Sequence, residues 1–277
     1  MTRASAYAKL NLALVAGPLR PDGKHEVATI LQAIDLHDDI ELEPAPTLTV
    51  EGFEDDTLVR AALQSIAHQA GVAPRWRACI EKRIPVAAGL GGGSSDAAAA
   101  LRLANTQLAE PLPREALHEL AAELGADVPF FLYSGARLAT GDGTELDPLE
   151  LPTDYVVLVV LAEGVRKEST AAVYQSFHER GGFDGFDERL AELRRALAQV
   201  QGPSDFARLP RNDLASSPLA EELEGLGAFR ADVTGTGPAV YGLFEDEPAA
   251  RRAASSLRRV GPTWLARPVG GVSPPGR

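Results

Sequence analysis

Apolar and polar positions along this 277-residue chain repeat with two different periods. Between Tyr7 and Val15, Leu10, Leu12 and Leu14 share one face, the period of a strand, and Lys9 and Asn11 stand together on the other. That spacing fits a solvent-facing strand surface and a pair of site groups equally. A turn-rich stretch from Gly17 to Gly23 follows, and from Lys24 through Ile40 and Leu42 the pattern is again extended, which predicts two or more strands. Leu48-Thr49-Val50 predicts a short strand. Leu58, Ala62, Ile66 and Ala70 recur at helical spacing and stop at Gly71. Trp76 to Ile84 returns to alternation, and Cys79 within it reads as core.

The later segments follow the same logic. A helix is predicted from the serines after Gly93 to about Leu108, and another from Arg114 to Leu124, ended by Gly125. Thr140 to Pro152, rich in glycine and proline, reads as a turn and crossing point, so the chain divides there into residues 1–150 and 151–277. Tyr155 to Leu161 is a buried strand by length and β-branching. Gly181 to Asp187 reads as a loop and Glu188 to Val200 as a helix. Strands at Phe229–Val233 and Ala239–Phe244 flank the turn Thr234-Gly235-Thr236-Gly237, which on its own is an ordinary hairpin. A helix over Pro248–Arg259, a strand over Thr263–Val269 and a disordered tail ending Pro274-Pro275-Gly276-Arg277 complete the reading.

Composition narrows the class. The chain carries 39 Asp and Glu against 27 Lys and Arg, a net charge of −12, which argues against a nucleic-acid surface. An anionic ligand must then be held by local donors. One cysteine excludes an internal disulfide framework, and five histidines in unrelated segments offer no metal-ligand spacing. No apolar run has the length of a membrane span and no signal-peptide core opens the sequence, so the expected location is the cytoplasm.

One segment stands out chemically: Pro85-Val86-Ala87-Ala88-Gly89-Leu90-Gly91-Gly92-Gly93-Ser94-Ser95-Asp96, followed by four alanines. An ordinary turn needs one glycine or two, whereas Gly89 to Gly93 holds four among five residues. Glycines let backbone N–H groups turn toward an anion, and the start of the following helix adds unpaired N–H donors and the positive end of its dipole. Ser94, Ser95 and Asp96 are expected as its N-cap residues. The Lys-Ser/Thr of a Walker loop is absent, Ser94 stands where a dinucleotide fingerprint needs its third glycine, and the Asp-Phe-Gly of protein kinases is missing. A less common phosphate loop remains. Asp127, placed just after a helix stop and before Val128-Pro129-Phe130-Phe131, reads either as a turn aspartate or as a carboxylate poised at a site.

In chain order these signals form one set. It comprises Ala8-Lys9-Leu10-Asn11-Leu12, Asp22-Gly23-x-His25, Gln32-x-Ile34-Asp35-Leu36, the glycine loop, Leu124-Gly-Ala-Asp127-Val-Pro-Phe-Phe131, Asn212-Asp213-Leu214 and Thr234-Gly-Thr-Gly237. The set resembles the superfamily of galactokinase, homoserine kinase, mevalonate kinase and phosphomevalonate kinase, over nearly the whole chain from Ala6 to Phe244. The triple glycine with Ser-Ser-Asp, together with Leu-Gly-Ala-Asp-Val-Pro-Phe-Phe and the early Asp-Gly-x-His, resembles its branch acting on a cytidine-diphosphate-linked methylerythritol in non-mevalonate isoprenoid synthesis.

The resemblance implies a mixed α+β, two-domain small-molecule kinase with its active site in the interdomain cleft and a ferredoxin-like second domain. It implies ATP along Pro85 to Ser95, Asp127 as the base that takes the proton of the C2 hydroxyl, and Lys9 as that aspartate's basic partner. It places Asn11 at the alcohol, His25 and Tyr174 at the cytosine, and Thr234 to Gly237 near the substrate phosphates. Lys24 stands where the family usually has an aromatic, so a cation is expected on one face of the base. Magnesium is implied with ATP, and Ser95 is the only protein ligand suggested for it. A homoserine or mevalonate kinase is the alternative, and the nucleobase residues weigh against it.

Overall fold

The computed structural model, which describes residues 1–165 and 169–270, opens with two long strands, β1 (Thr2–Leu19) and β2 (His25–Pro44). The expected tail at Pro274–Arg277 lies outside the described residues. Both faces of β1 are buried from Ala8 to Gly17, which removes the solvent-facing reading of Lys9 and Asn11: each is 3% exposed. The region read as two or more strands is the single strand β2. Its polar stretch around Asp38 does not break it, because the strand changes partner there. Thr29–Gln32 pairs with β5 (Ala136–Thr140), and Asp39–Pro44 pairs with β4 (Trp76–Glu81).

Close contacts gather into two compact units, neither of which is a continuous segment. The first comprises Met1–Ala8, Leu36–Val86 and Gly91–Tyr133; the second comprises Lys9–Asp35, Ala87–Leu90 and Ser134–Arg277. The stretch expected to be a crossing point between two domains is a hairpin. β5 pairs antiparallel with β6 (Glu145–Leu149) across the turn at Gly141–Thr144.

In the first unit β3 (Thr49–Glu51) runs parallel to β4, which pairs with the end of β2. Helices α1 (Leu58–Gln69), α2 (Gly92–Asn105) and α3 (Arg114–Leu124) pack together, and a 3₁₀ turn at Pro129–Leu132 packs on α2. Val59, Leu63 and Ile66 of α1 are wholly buried, each contributing about 1.5–3 kcal/mol. Ala97 to Ala100 of α2 are buried too, and their small side chains let neighbouring elements approach closely. Cys79 is only partly buried, because it lies on the face of β4 opposite Trp76, Ala78 and Ile80.

The second unit holds a four-stranded antiparallel sheet. Its strands are β7 (Val156–Val160), β8 (Arg230–Val233), β9 (Val240–Phe244) and β10 (Thr263–Ala266), in the order β10-β7-β9-β8. Helices α4 (Thr170–Glu179), α5 (Phe186–Leu197) and α6 (Pro218–Gly225) lie between β7 and β8 in sequence, and α7 (Glu247–Ser256) lies between β9 and β10. This is the expected ferredoxin-like arrangement. Leu219 and Leu223 of α6 and Ala250 and Ala253 of α7 form one core with β7 to β9. Val173 and Phe177 of α4 pack with Leu14 and Ala16 of β1, fixing the helix that carries Tyr174.

Candidate functional site

The glycine loop is built from left-handed backbone. Ala87 (φ 56°), Gly89 (φ 86°) and Gly91 (φ 74°) alternate with ordinary residues, a sequence that gathers N–H groups on one side of the chain. For Ala87 that conformation costs about 1–2 kcal/mol, which neighbouring contacts must offset. Those contacts hold Ala87–Leu90 in the second unit. Lys9 N donates to Leu90 O at 2.9 Å, Ala239 N to Ala88 O at 3.0 Å, and Thr234 Oγ1 to Gly89 O at 3.4 Å.

From Gly91 onward the chain belongs to the first unit and becomes α2. The N-cap is Gly91 rather than the serines or Asp96, and no side chain caps the helix. Gly92 and Gly93 therefore occupy the first turn. Ser95 N closes the first helical bond, to Gly91 O at 2.9 Å. The N–H groups ahead of it face outward from a 14-residue helix, the arrangement that binds anions through main chain and dipole.

Under that helix start lies a charged cluster for which the local sequence pattern gave no signal. Lys82 Nζ donates to Asp38 Oδ2 at 2.5 Å and to Asp96 Oδ2 at 2.8 Å, while Asp38 Oδ1 accepts Arg83 N and Ile84 N. Burial pushes the Asp96 carboxyl up to about 7; Lys82 opposes that shift and the charge of Asp38 adds to it. Burial disfavours the Lys82 ammonium, yet its two carboxylates outweigh this and raise its pKa. A methyl group on Gly92 would meet Ile84 at 3.1 Å and Lys82 Nζ at 3.3 Å, so the cluster also packs against the first helical residue. In the same unit Asp127 is half-buried after α3, and the buried residues Val128, Phe130 and Phe131 follow it in sequence.

In the second unit Lys9, Asn11, Thr234 and Gly89 converge. Lys9 Nζ donates to Asn11 Oδ1 at 2.7 Å, and Asn11 Nδ2 donates to Thr29 Oγ1 at 2.8 Å. The Thr234 hydroxyl lies 3.3 Å from both Asn11 N and Asn11 Oδ1, and Tyr241 donates to Asn11 O at 3.0 Å. The turn of Thr234 to Gly237 is a hairpin between β8 and β9, with Gly235 (φ 58°) and Gly237 (φ 77°) left-handed. Its Gly235 approaches the lysine: a methyl there would lie 3.4 Å from Lys9 Nζ.

The predicted base-binding residues also meet. The His25 ring stacks between Tyr174 (4.5 Å, 12°) and Phe183 (4.8 Å, 20°), and its Nδ1 lies 3.3 Å from Gly17 O. Phe183 joins them from the segment Gly181 to Asp187, whose sequence pattern predicts only a loop. Lys24 Nζ is bound to Asp142 Oδ2 at 2.5 Å. Burial works against the Asp142 carboxylate, but Lys24 and Thr144 hold its pKa down at about 2. Among the described residues no group of three His, Cys, Asp or Glu side chains is placed to hold a metal ion, and Ser95 is itself buried. No helix among them is long and apolar enough to cross a membrane.

Residues 57–135 match the GHMP kinases N terminal domain and residues 186–263 the GHMP kinases C terminal family. The 4-diphosphocytidyl-2-C-methyl-D-erythritol kinase of Salinispora arenicola is 38% identical over 92% of this chain and 87% of its own. That of Nocardia farcinica is 38% identical over 98% of this chain and 94% of its own. A crystal structure of 4-(cytidine 5'-diphospho)-2C-methyl-D-erythritol kinase superposes with a TM-score of 0.77 at 32% identity, covering 98% of this chain and all of that one. The mevalonate kinase of Methanococcus jannaschii shares the fold, with a TM-score of 0.74 at 16% identity over 96% of this chain and 98% of its own.

Proposed function

The chain belongs to the GHMP kinases, among the 4-diphosphocytidyl-2-C-methyl-D-erythritol kinases, and we propose that it moves the γ-phosphoryl group of ATP onto the C2 hydroxyl of that alcohol. The observation that carries this reading is the match to relatives of that activity at 38% identity over nearly the full length. The reaction serves the non-mevalonate route to isoprenoid precursors, and a cytoplasmic location belongs to the same reading.

Phosphoryl transfer asks the protein mainly for positioning and charge stabilisation. In this reading the triphosphate lies along Pro85 to Ser95, where the uncapped start of α2 and the left-handed loop residues supply main-chain donors. That suits a chain of net charge −12, because backbone dipoles bind an anion without a basic surface. Asp127 accepts the hydroxyl proton as the phosphoryl group transfers. Lys9, oriented by Asn11, offsets negative charge on the transferring oxygens, and the turn of Thr234 to Gly237 borders the substrate phosphates.

Cytosine recognition falls to His25 and Tyr174, with the Lys24 cation on the other face of the base. Among the described residues no group of three His, Cys, Asp or Glu side chains is placed as a resident metal site. Magnesium bound with ATP would offset charge on the phosphate oxygens, and Ser95 is the one protein group proposed to lie near it.

A coupled ADP-release assay over candidate alcohols tests the reading. ADP is expected with the diphosphocytidyl alcohol and ATP. Release with mevalonate or homoserine, and none with the cytidylylated substrate, would overturn it.

A further inference from the structure

Asn212-Asp213-Leu214 belongs to the ordered set of motifs, yet none of the proposed chemistry uses it. Asn212 is 6% exposed and every hydrogen-bonding group of its side chain is engaged. Its Nδ2 donates to Val233 O at 2.9 Å and to Gly235 O at 2.6 Å, and its Oδ1 accepts Leu214 N at 2.9 Å. The backbone N of Asn212 donates to Asp232 Oδ2 at 3.0 Å. Asp232 is in turn held by wholly buried Arg230, whose guanidinium also donates to the carbonyls of Phe206, Leu209 and Pro210.

The other side of the motif is fixed to β1. Asn212 bridges Leu14, Asp213 N donates to Leu14 O at 3.0 Å, and Asp213 Oδ2 accepts Ala16 N at 2.9 Å and Arg189 Nε at 3.2 Å. Asn212 thus stands on a frame tied to the strand that bears Lys9 and Asn11, and its amide reaches the turn that bears Thr234. In a trans peptide the C=O and the following N–H point opposite ways. Holding Gly235 O on Asn212 therefore turns Thr236 N–H away from it and fixes how the left-handed Gly235 faces Lys9.

We propose that Asn212 is a positioning residue for phosphoryl transfer. Its amide sets the carbonyls of Val233 and Gly235 and, through them, the placement of Thr234 and Gly235 against Lys9, Asn11 and Gly89. This rests on the reading of the Thr234–Gly237 turn as part of the substrate site.

Asn212→Asp keeps the shape and removes both donors, setting a carboxylate against two carbonyls. In the full-length protein kcat is expected to fall on the order of 10²-fold, with the KM for ATP within about threefold of native. ATP-binding stoichiometry by calorimetry should stay at the native value. A merely structural loss would instead lower stoichiometry and activity together. Asn212→Ser, which keeps one donor, should lie between the two and is read in the same way if Asn212→Asp does not fold. Native turnover per ATP-binding site in a folded variant, or activity falling only in step with stoichiometry, overturns the proposal. Thr234→Val alters the turn without touching Asn212. If it lowers turnover while Asn212→Asp does not, only the role of Asn212 fails; if Thr234→Val also leaves turnover native, the reading of the turn itself fails.

Discussion

A methyl group on Gly89 would lie 2.4 Å from the carbonyl oxygen of Thr234, so the glycine loop and the β8–β9 turn meet only because residue 89 has no side chain. Its φ of 86° adds a second constraint of the same sign.

Gly89→Ala should therefore do more harm than a left-handed glycine in open space. Gly71 is the comparison: its φ is 66° and nothing stands within 4 Å of an added methyl. Gly71→Ala should cost about 1–2 kcal/mol of stability in urea melts and leave turnover native. Gly89→Ala should cost more in the same melts and also lower kcat/KM for ATP, because the loop must move off the turn. Equal effects of the two changes would show that the contact is not a constraint.

Asp127→Asn keeps the size of the side chain and removes its capacity to take a proton. Turnover should fall roughly 10²- to 10⁴-fold, with the Kd for ATP nearly native. Native turnover would remove Asp127 from the chemistry.

Asp96 links the helix start to pH. Its carboxyl, raised by burial and by Asp38 from 3.8 to about 7, binds a proton in the folded state where the unfolded chain has already lost it. Its contribution to stability is thus fully present below about pH 4 and is lost as pH rises through about 7. Asp96→Asn removes that dependence and leaves Lys82 with one carboxylate, Asp38, for its one charge. In urea melts the variant should gain on the native protein between about pH 5 and about pH 8. A constant difference across that range would mean that Asp96 does not titrate there.

What the sequence revealed and what it hid follow from the range of the interactions. The alternation of Leu10, Leu12 and Leu14 marks β1, and Gly71 marks the end of α1, because both are local patterns. The hairpin of β5 and β6 was hidden because Pro148 sits in β6, a place open to proline only on an edge strand, and β6 is an edge. The Lys82 cluster was hidden for another reason. Its members are 44 and 14 residues apart in sequence, and a buried ion pair of that separation leaves no trace in periodicity. The same holds for Phe183, whose stacking on His25 depends on where α4 packs.

Part of the surface on which a cytosine would stack is covered by the protein's own rings, since His25 lies flat between Tyr174 and Phe183. The Lys24 ammonium, expected over the other face of the base, is bound to Asp142, and Lys24 is half exposed. An exposed cation already paired with a carboxylate contributes little to a second partner, whereas a ring pair contributes about 0.5–1.5 kcal/mol beyond its buried area. Tyr174→Ala should therefore weaken CMP binding by about 3- to 10-fold, and Lys24→Ala by less than about twofold. Calorimetry with CMP measures both. If Lys24→Ala is the more damaging change, the ammonium leaves Asp142 for the base, and the cation rather than the ring carries cytosine recognition in this chain.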